Sequence, residues 1–116
     1  MPRILDIQAD EFNSVVEEAS IPVVLEFWVR SCRSCQRFKP VYEKLSEIFG
    51  DEVTFLKMNM MKSIENLRFA EDMGVEETPT TKVFCRGREV GEIVGYLLLE
   101  EAVEFIRASL ESSHCI

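Results

Sequence analysis

Trp28-Val29-Arg30-Ser31-Cys32-Arg33-Ser34-Cys35 is the stretch on which the reading of this chain turns. Before it runs an apolar segment, Pro22 to Phe27, of a length and composition suited to a buried strand. After it, Phe38, Val41, Tyr42, Leu45, Ile48 and Phe49 recur at steps of three and four, which predicts a helix. Two cysteines two residues apart therefore fall at a strand-to-helix junction. There the free N–H groups of the first turn and the positive end of the helix dipole favour a thiolate over a thiol. The spacing lets the second sulfur reach the first, so the pair can close a disulfide and reopen it.

Working outward, the chain has 116 residues, 47% of them hydrophobic, which suits one domain with a real core. No apolar run approaches the roughly 20 residues of a membrane helix. Met1-Pro2-Arg3 leads to no long apolar segment, so no secretory leader is expected and the cytoplasm is the expected compartment. Four cysteines in such a chain point to redox or metal chemistry before a disulfide scaffold. A net charge of −8 argues against nucleic acid and anionic membrane as partners. Yet Arg30, Arg33, Arg37 and Lys39 lie between Glu26 and Glu43 with no acid among them. They are either a solvated helix face or a functional basic patch beside the cysteines.

In chain order, Ile4 to Ile7 reads as a short edge strand, and Asp10 as the cap of a helix to about Ala19. Strand two, Val23 to Val29, is nearly continuous in apolar residues, as a central strand is, and only Glu26 interrupts it. A helix from Cys32 to Phe49 contains Pro40 and stops at Gly50. Val53 to Asn59 is a third strand, and Ser63 to Met73 a helix ended by Gly74. Thr80–Cys85 and Glu89–Val94 form a hairpin about Arg86-Gly87-Arg88. A last helix covers Leu98 to Ser112, its start lacking a Ser, Thr or Asp cap. Lys82 reads as an outward position of its strand, Cys85 as a half-buried structural thiol, and Cys115, beside His114, as an exposed residue of a flexible tail over about 112–116. The order β-α-β-α-β-α-β-β-α predicts an α/β fold with a mixed sheet covered by helices on both faces.

These features together resemble the thioredoxin family over nearly the whole chain, 1–116, as a single domain. The resemblance rests on Phe27-Trp28 before the cysteines, Cys32-x-x-Cys35, Pro40, Thr78-Pro79-Thr80, Phe84-x-x-Gly87 and Gly95. It implies a thioredoxin fold with five strands and four helices, and dithiol–disulfide exchange in which Cys32 attacks and Cys35 resolves. It implies a cis Thr78–Pro79 bond lying against the pair, with Trp28, Arg33, Ser34, Thr78, Pro79 and Gly95 meeting the substrate. Thioredoxins commonly carry an Asp where Glu26 stands and a Lys where Lys57 stands. On that match Glu26 takes the Cys35 proton, its pKa raised by burial; alternatively Glu26 and Lys57 are only a structural ion pair.

The chain departs from the family where Ser31 replaces an aromatic and Arg33-Ser34 replace Gly-Pro. Loss of that proline implies a less reducing pair, and the arginines are expected to depress the Cys32 pKa further. The expected protein is thus a monomeric thiol–disulfide oxidoreductase with no cofactor and no metal. Its expected partners are protein disulfides, with acidic surfaces favoured, and an unidentified reductase. The alternative is a thioredoxin-like binding module whose cysteines are idle. A zinc site would need two more ligands, which Cys85 and His114 do not obviously supply. A metal site or an intermolecular disulfide at the His114-Cys115 tail is a weaker reading still.

Overall fold

The computed structural model describes residues 3–116; Met1 and Pro2, part of the stretch read for a leader, lie outside the described residues. Strands β1 (Ile4–Asp6), β2 (Val23–Trp28), β3 (Thr54–Asn59), β4 (Thr80–Cys85) and β5 (Arg88–Val94) form one sheet in the order β1-β3-β2-β4-β5. The first three are parallel, β4 runs antiparallel to β2, and β5 runs antiparallel to β4. Helices α1 (Arg33–Phe49), α2 (Ile64–Asp72) and α3 (Leu99–Ser112), with one more helical segment before β2, complete the five-stranded, four-helix arrangement. Among the described residues, no helix is long and apolar enough to cross a membrane.

Alternation along the central strands sorts the core into two layers. Val23, Leu25 and Phe27 face one side with Leu56, Met58, Phe84 and Ala70 of α2. Val24, Phe55 and Val83 face the other, against Phe38, Tyr42, Leu45 and Phe49 of α1 and Ala102, Ile106 and Leu110 of α3. The 38-42-45-49 spacing is the helical stripe read from sequence. Ile48 falls outside it and is 44% exposed, because it sits one residue off the buried row.

Three expectations are corrected. The first helical segment is a 3₁₀ turn, Ala9–Glu11, followed by a π-helical run, Asn13–Glu17, rather than an α-helix. It is latched by the buried Asn66 of α2, whose amide accepts from the Ala9 N–H at 2.8 Å and donates to Gln8 at 2.9 Å and to the Asn59 carbonyl at 3.0 Å. Lys82 does not point into solvent. It is 2% exposed, and its ammonium bonds Glu89 at 2.7 Å and Glu92 at 3.0 Å, both on β5. Two carboxylates from the neighbouring strand take the place of water around it. The start of α3 is capped after all, since Glu101 reaches back to accept from the Leu98 N–H at 3.3 Å.

The hairpin between β4 and β5 turns through two residues, Arg86 and Gly87, both with left-handed φ angles of 51° and 80°. Gly87 is needed here, because a Cβ would meet the backbone of Glu17 at 2.8 Å. The two cysteines outside the motif are not separate. Cys85, the last residue of β4, is disulfide-bonded to Cys115, with Cα atoms 6.1 Å apart. Cys115 is half-buried against the α1–α3 layer, and its N–H donates to the Leu110 carbonyl at 2.8 Å. Sequence reading treated these thiols singly, whereas their meeting depends on the packing of α3 across β4.

Candidate functional site

The carboxyl end of β2 and the amino end of α1 bring Cys32 and Cys35 together. Cys32 is the residue that caps α1, with extended backbone angles, and its sulfur accepts from the Cys35 N–H at 3.1 Å. One of the four N–H groups left free at a helix start is thereby aimed at the sulfur. From the other side the thiol donates to the Thr78 carbonyl at 3.3 Å. Cys32 is half-buried and Cys35 buried, and both are free thiols.

Their acidities are driven apart. Partial burial alone would raise the Cys32 thiol. Hydrogen bonds from the Cys35 and Thr78 side chains and from the backbone N–H groups of Cys35 and Ser34 outweigh it, so Cys32 lies below the ordinary thiol value. Burial, reinforced by the hydrogen bond to Cys32, pushes Cys35 up to about 11. The exposed guanidinium of Arg33 is not among the causes of the Cys32 shift. Hydrogen bonds at the helix start do what sequence reading assigned to the arginines.

The Thr78–Pro79 bond is cis, and the Gly95 N–H donates to the Pro79 carbonyl at 2.7 Å. That bond ties the loop before β4 to the end of β5, so Thr78, Pro79 and Gly95 border the pair from one side. Trp28, Arg33 and Ser34 border it from β2 and the first turn of α1. All the residues singled out around the cysteines therefore lie at one end of the sheet.

Behind Cys35 is a cavity of about 360 Å³, lined among others by Glu26, Trp28, Lys39, Tyr42 and Lys57. Glu26 is 4% exposed, and burial raises its carboxyl to about 7; Lys57 opposes the shift and Asp6 adds to it. Glu26 and Lys57 are in register on adjacent strands. Yet no ion pair joins them among the described residues, and the Lys57 ammonium lies 4.6 Å from the centre of the Trp28 ring. The purely structural Glu26–Lys57 bridge is thus not formed.

Sequence reading passed over Asp6 and Thr81. Asp6 accepts from the Trp28 indole N–H at 3.2 Å and pairs in register with Lys57. Thr81 stands opposite Glu26 on β4, fully buried, its hydroxyl without a hydrogen-bond partner. Across four strands the row therefore runs Asp6, Lys57, Glu26, Thr81. A polar residue at the matching place of each strand was the available signal.

Comparison with known proteins agrees with this geometry. The thioredoxin family model matches residues 3–108. The thioredoxin of Haemophilus influenzae is 32% identical over 106 residues, covering 91% of this chain and 96% of its own length. Thioredoxin 1 of Synechococcus elongatus is 33% identical over 84 residues, covering 72% of this chain and 76% of its own. The chloroplastic F-type thioredoxin of Spinacia oleracea is 34% identical over 110 residues, and this chain spans only 56% of its length. With a depressed thiol capping a helix, a raised one behind it and a cis-proline alongside, the chain belongs to the thioredoxin family and is a disulfide oxidoreductase.

Proposed function

We propose that this protein reduces disulfides in protein partners, that its Cys32–Cys35 couple is less reducing than that of a standard thioredoxin, and that it favours partners with acidic surface around the target disulfide. The observation that carries the chemistry is the split between Cys32, below the ordinary thiol value, and Cys35, at about 11. The outer sulfur is thus the more readily ionised of the two, while the inner keeps its proton until the second step.

The Cys32 thiolate attacks one sulfur of the partner disulfide, forming a mixed disulfide and releasing the first partner thiolate. Cys35 then gives its proton to the Glu26 carboxylate across the cavity and attacks Cys32. The Cys32–Cys35 disulfide forms, the second partner thiol leaves, and two electrons have passed to the partner. Glu26 suits this because a carboxyl near 7 is part ionised and part protonated in the working range. An external reductant, itself unidentified, returns the pair to the dithiol.

The redox poise is argued from Arg33-Ser34, which leaves no proline between the cysteines, and from stabilisation of the Cys32 thiolate. Both favour the reduced form and move the potential above the roughly −270 mV of thioredoxin. Partner preference rests on Arg30, Arg33, Arg37 and Lys39, all exposed and flanking the two cysteines in sequence. Arg37 is steadied 4.6 Å from the centre of the Tyr96 ring, so it presents its charge at a defined place.

Insulin reduction driven by dithiothreitol tests the activity: turnover abolished by Cys32→Ser supports it, and absence of turnover in the wild type returns the chain to a binding role. Equilibration with glutathione tests the poise, where −270 mV or lower rejects it. Trapping with Cys35→Ser, which stops at the mixed disulfide, identifies partners, and a set without acidic residues near the trapped cysteine rejects the stated preference.

A further inference from the structure

The Cys85–Cys115 disulfide stands apart from the redox pair. β4 starts beside Pro79 and ends at Cys85, and six strand residues span about 20 Å, so Cys32 of the same chain does not reach it. The two sulfurs differ in their surroundings. Cys85 is 4% exposed at the end of a central strand, while Cys115 is half-buried near the end of the chain. The guanidinium of Arg86, the next residue, places a nitrogen 3.7 Å from the Cys85 sulfur. The left-handed backbone of Arg86 in the β4–β5 turn sets that position.

We propose that Cys85–Cys115 is a second thiol–disulfide exchange site, opened by an external small thiol that attacks at Cys115, with Cys85 as the leaving thiolate held by Arg86. An attacking thiolate must reach the sulfur from solvent, and Cys115 is half-buried whereas Cys85 is 4% exposed. Disulfide exchange also goes faster when the departing sulfur is the more stable thiolate, and the Arg86 guanidinium stands beside Cys85. In the first step the bond between the attacking sulfur and Cys115 forms as the Cys85–Cys115 bond breaks, and the electron pair goes to Cys85. A second thiolate displaces the Cys115 sulfur from the mixed disulfide. Two small thiols are thereby oxidised to a disulfide, and the protein pair gains two electrons. The tail beyond α3 then keeps its backbone hydrogen bonds, those of the Ser113 hydroxyl and the packing of Cys115, without a covalent tie. The compound class is a monothiol of glutathione size, and the step does not rest on the activity of Cys32.

The test uses the full chain carrying Cys32→Ser and Cys35→Ser, oxidised and then exposed to excess glutathione, with acid-quenched time points. Trypsin separates the two sulfurs, since cleavage after Lys82 and Arg86 yields Val83–Arg86 and cleavage after Arg107 yields Ala108–Ile116. The early glutathione adduct is expected on the Cys115 fragment. Arg86→Asn, whose side chain tolerates the left-handed backbone, should slow opening about threefold by removing the cation beside the leaving sulfur. An adduct first on the Cys85 fragment overturns the proposal. So does an unchanged rate in Arg86→Asn, or an oxidised protein in which both thiols can still be alkylated.

Discussion

At the scale of single residues, the raised carboxyl of Glu26 bears on stability as well as on the role proposed for it. Its carboxyl titrates near 7 in the fold, well above its value in an unfolded chain. Between those two values the unfolded chain is ionised and the folded one is not, so rising pH favours unfolding across that window. The loss begins as pH climbs through the unfolded value and is complete above about 7. A shift of this size corresponds to about 3 kcal/mol. Glu26→Gln should therefore match the wild type in urea denaturation at pH 4 and exceed it by about that amount at pH 8; a gap that does not widen with pH rejects the account. The same variant should lose the acceleration of disulfide reduction that the wild type shows on passing through pH 7, because the Cys35 proton then has no nearby acceptor. A Glu26→Gln rate profile that coincides with the wild type's from pH 6 to 9 would remove Glu26 from the mechanism.

Among the elements, the β4–β5 hairpin shows what sequence could and could not convey. The strands of the hairpin, the turn glycine and the apolar stripe of α1 follow from periodicity, because each is decided by neighbours in sequence. The π-helical run at Asn13–Glu17 does not, since spacing of three and four cannot tell a widened turn from an α-helical one. Lys82 was misread because its burial depends on two acids of another strand, Glu89 and Glu92, which are only 36% and 39% exposed as side chains. The site was legible in its cysteines, Glu26 and Pro79, whereas the hydrogen bonds that set their acidities arise only in the folded backbone. The Lys82 cluster carries an asymmetric prediction. Lys82→Met leaves two part-exposed carboxylates that water can solvate, and should change stability by less than about 1 kcal/mol. The double change Glu89→Gln and Glu92→Gln leaves a buried ammonium without its counter-charges and should cost about 3 kcal/mol. Denaturant midpoints of the two variants decide it, and equal losses would show that the charges are not what covers Lys82. On β5 itself, Gly91 allows α3 to approach, since a Cβ there would overlap Ser109 and touch the Phe105 ring. Gly91→Val should lower stability by about 1–3 kcal/mol through overpacking, read from the same midpoints.

For the molecule as a whole, the two cysteine pairs lie at opposite ends of β4 and act on different properties. Cys32 caps α1 and Cys35 lies in its first turn, where hydrogen bonding sets their acidities. Cys85 and Cys115 close a loop of 30 residues that contains β5 and α3, the last strand and the last helix. Closing a loop of that length lowers the entropy of the unfolded chain, which stabilises the fold by about 3–4 kcal/mol. For a domain of this size that corresponds to about 10 °C or more in melting temperature. Cys85→Ser with Cys115→Ser should therefore melt lower by about that margin, while the rate at which Cys32 attacks a peptide disulfide stays within about twofold at 25 °C. The comparison needs both readings. A melting point that does not fall means the closed loop adds nothing to the fold. A large fall in the Cys32 rate at a temperature where the variant remains folded would mean that the far end of the sheet positions Thr78 and the start of α1, and that the two ends are coupled rather than separate.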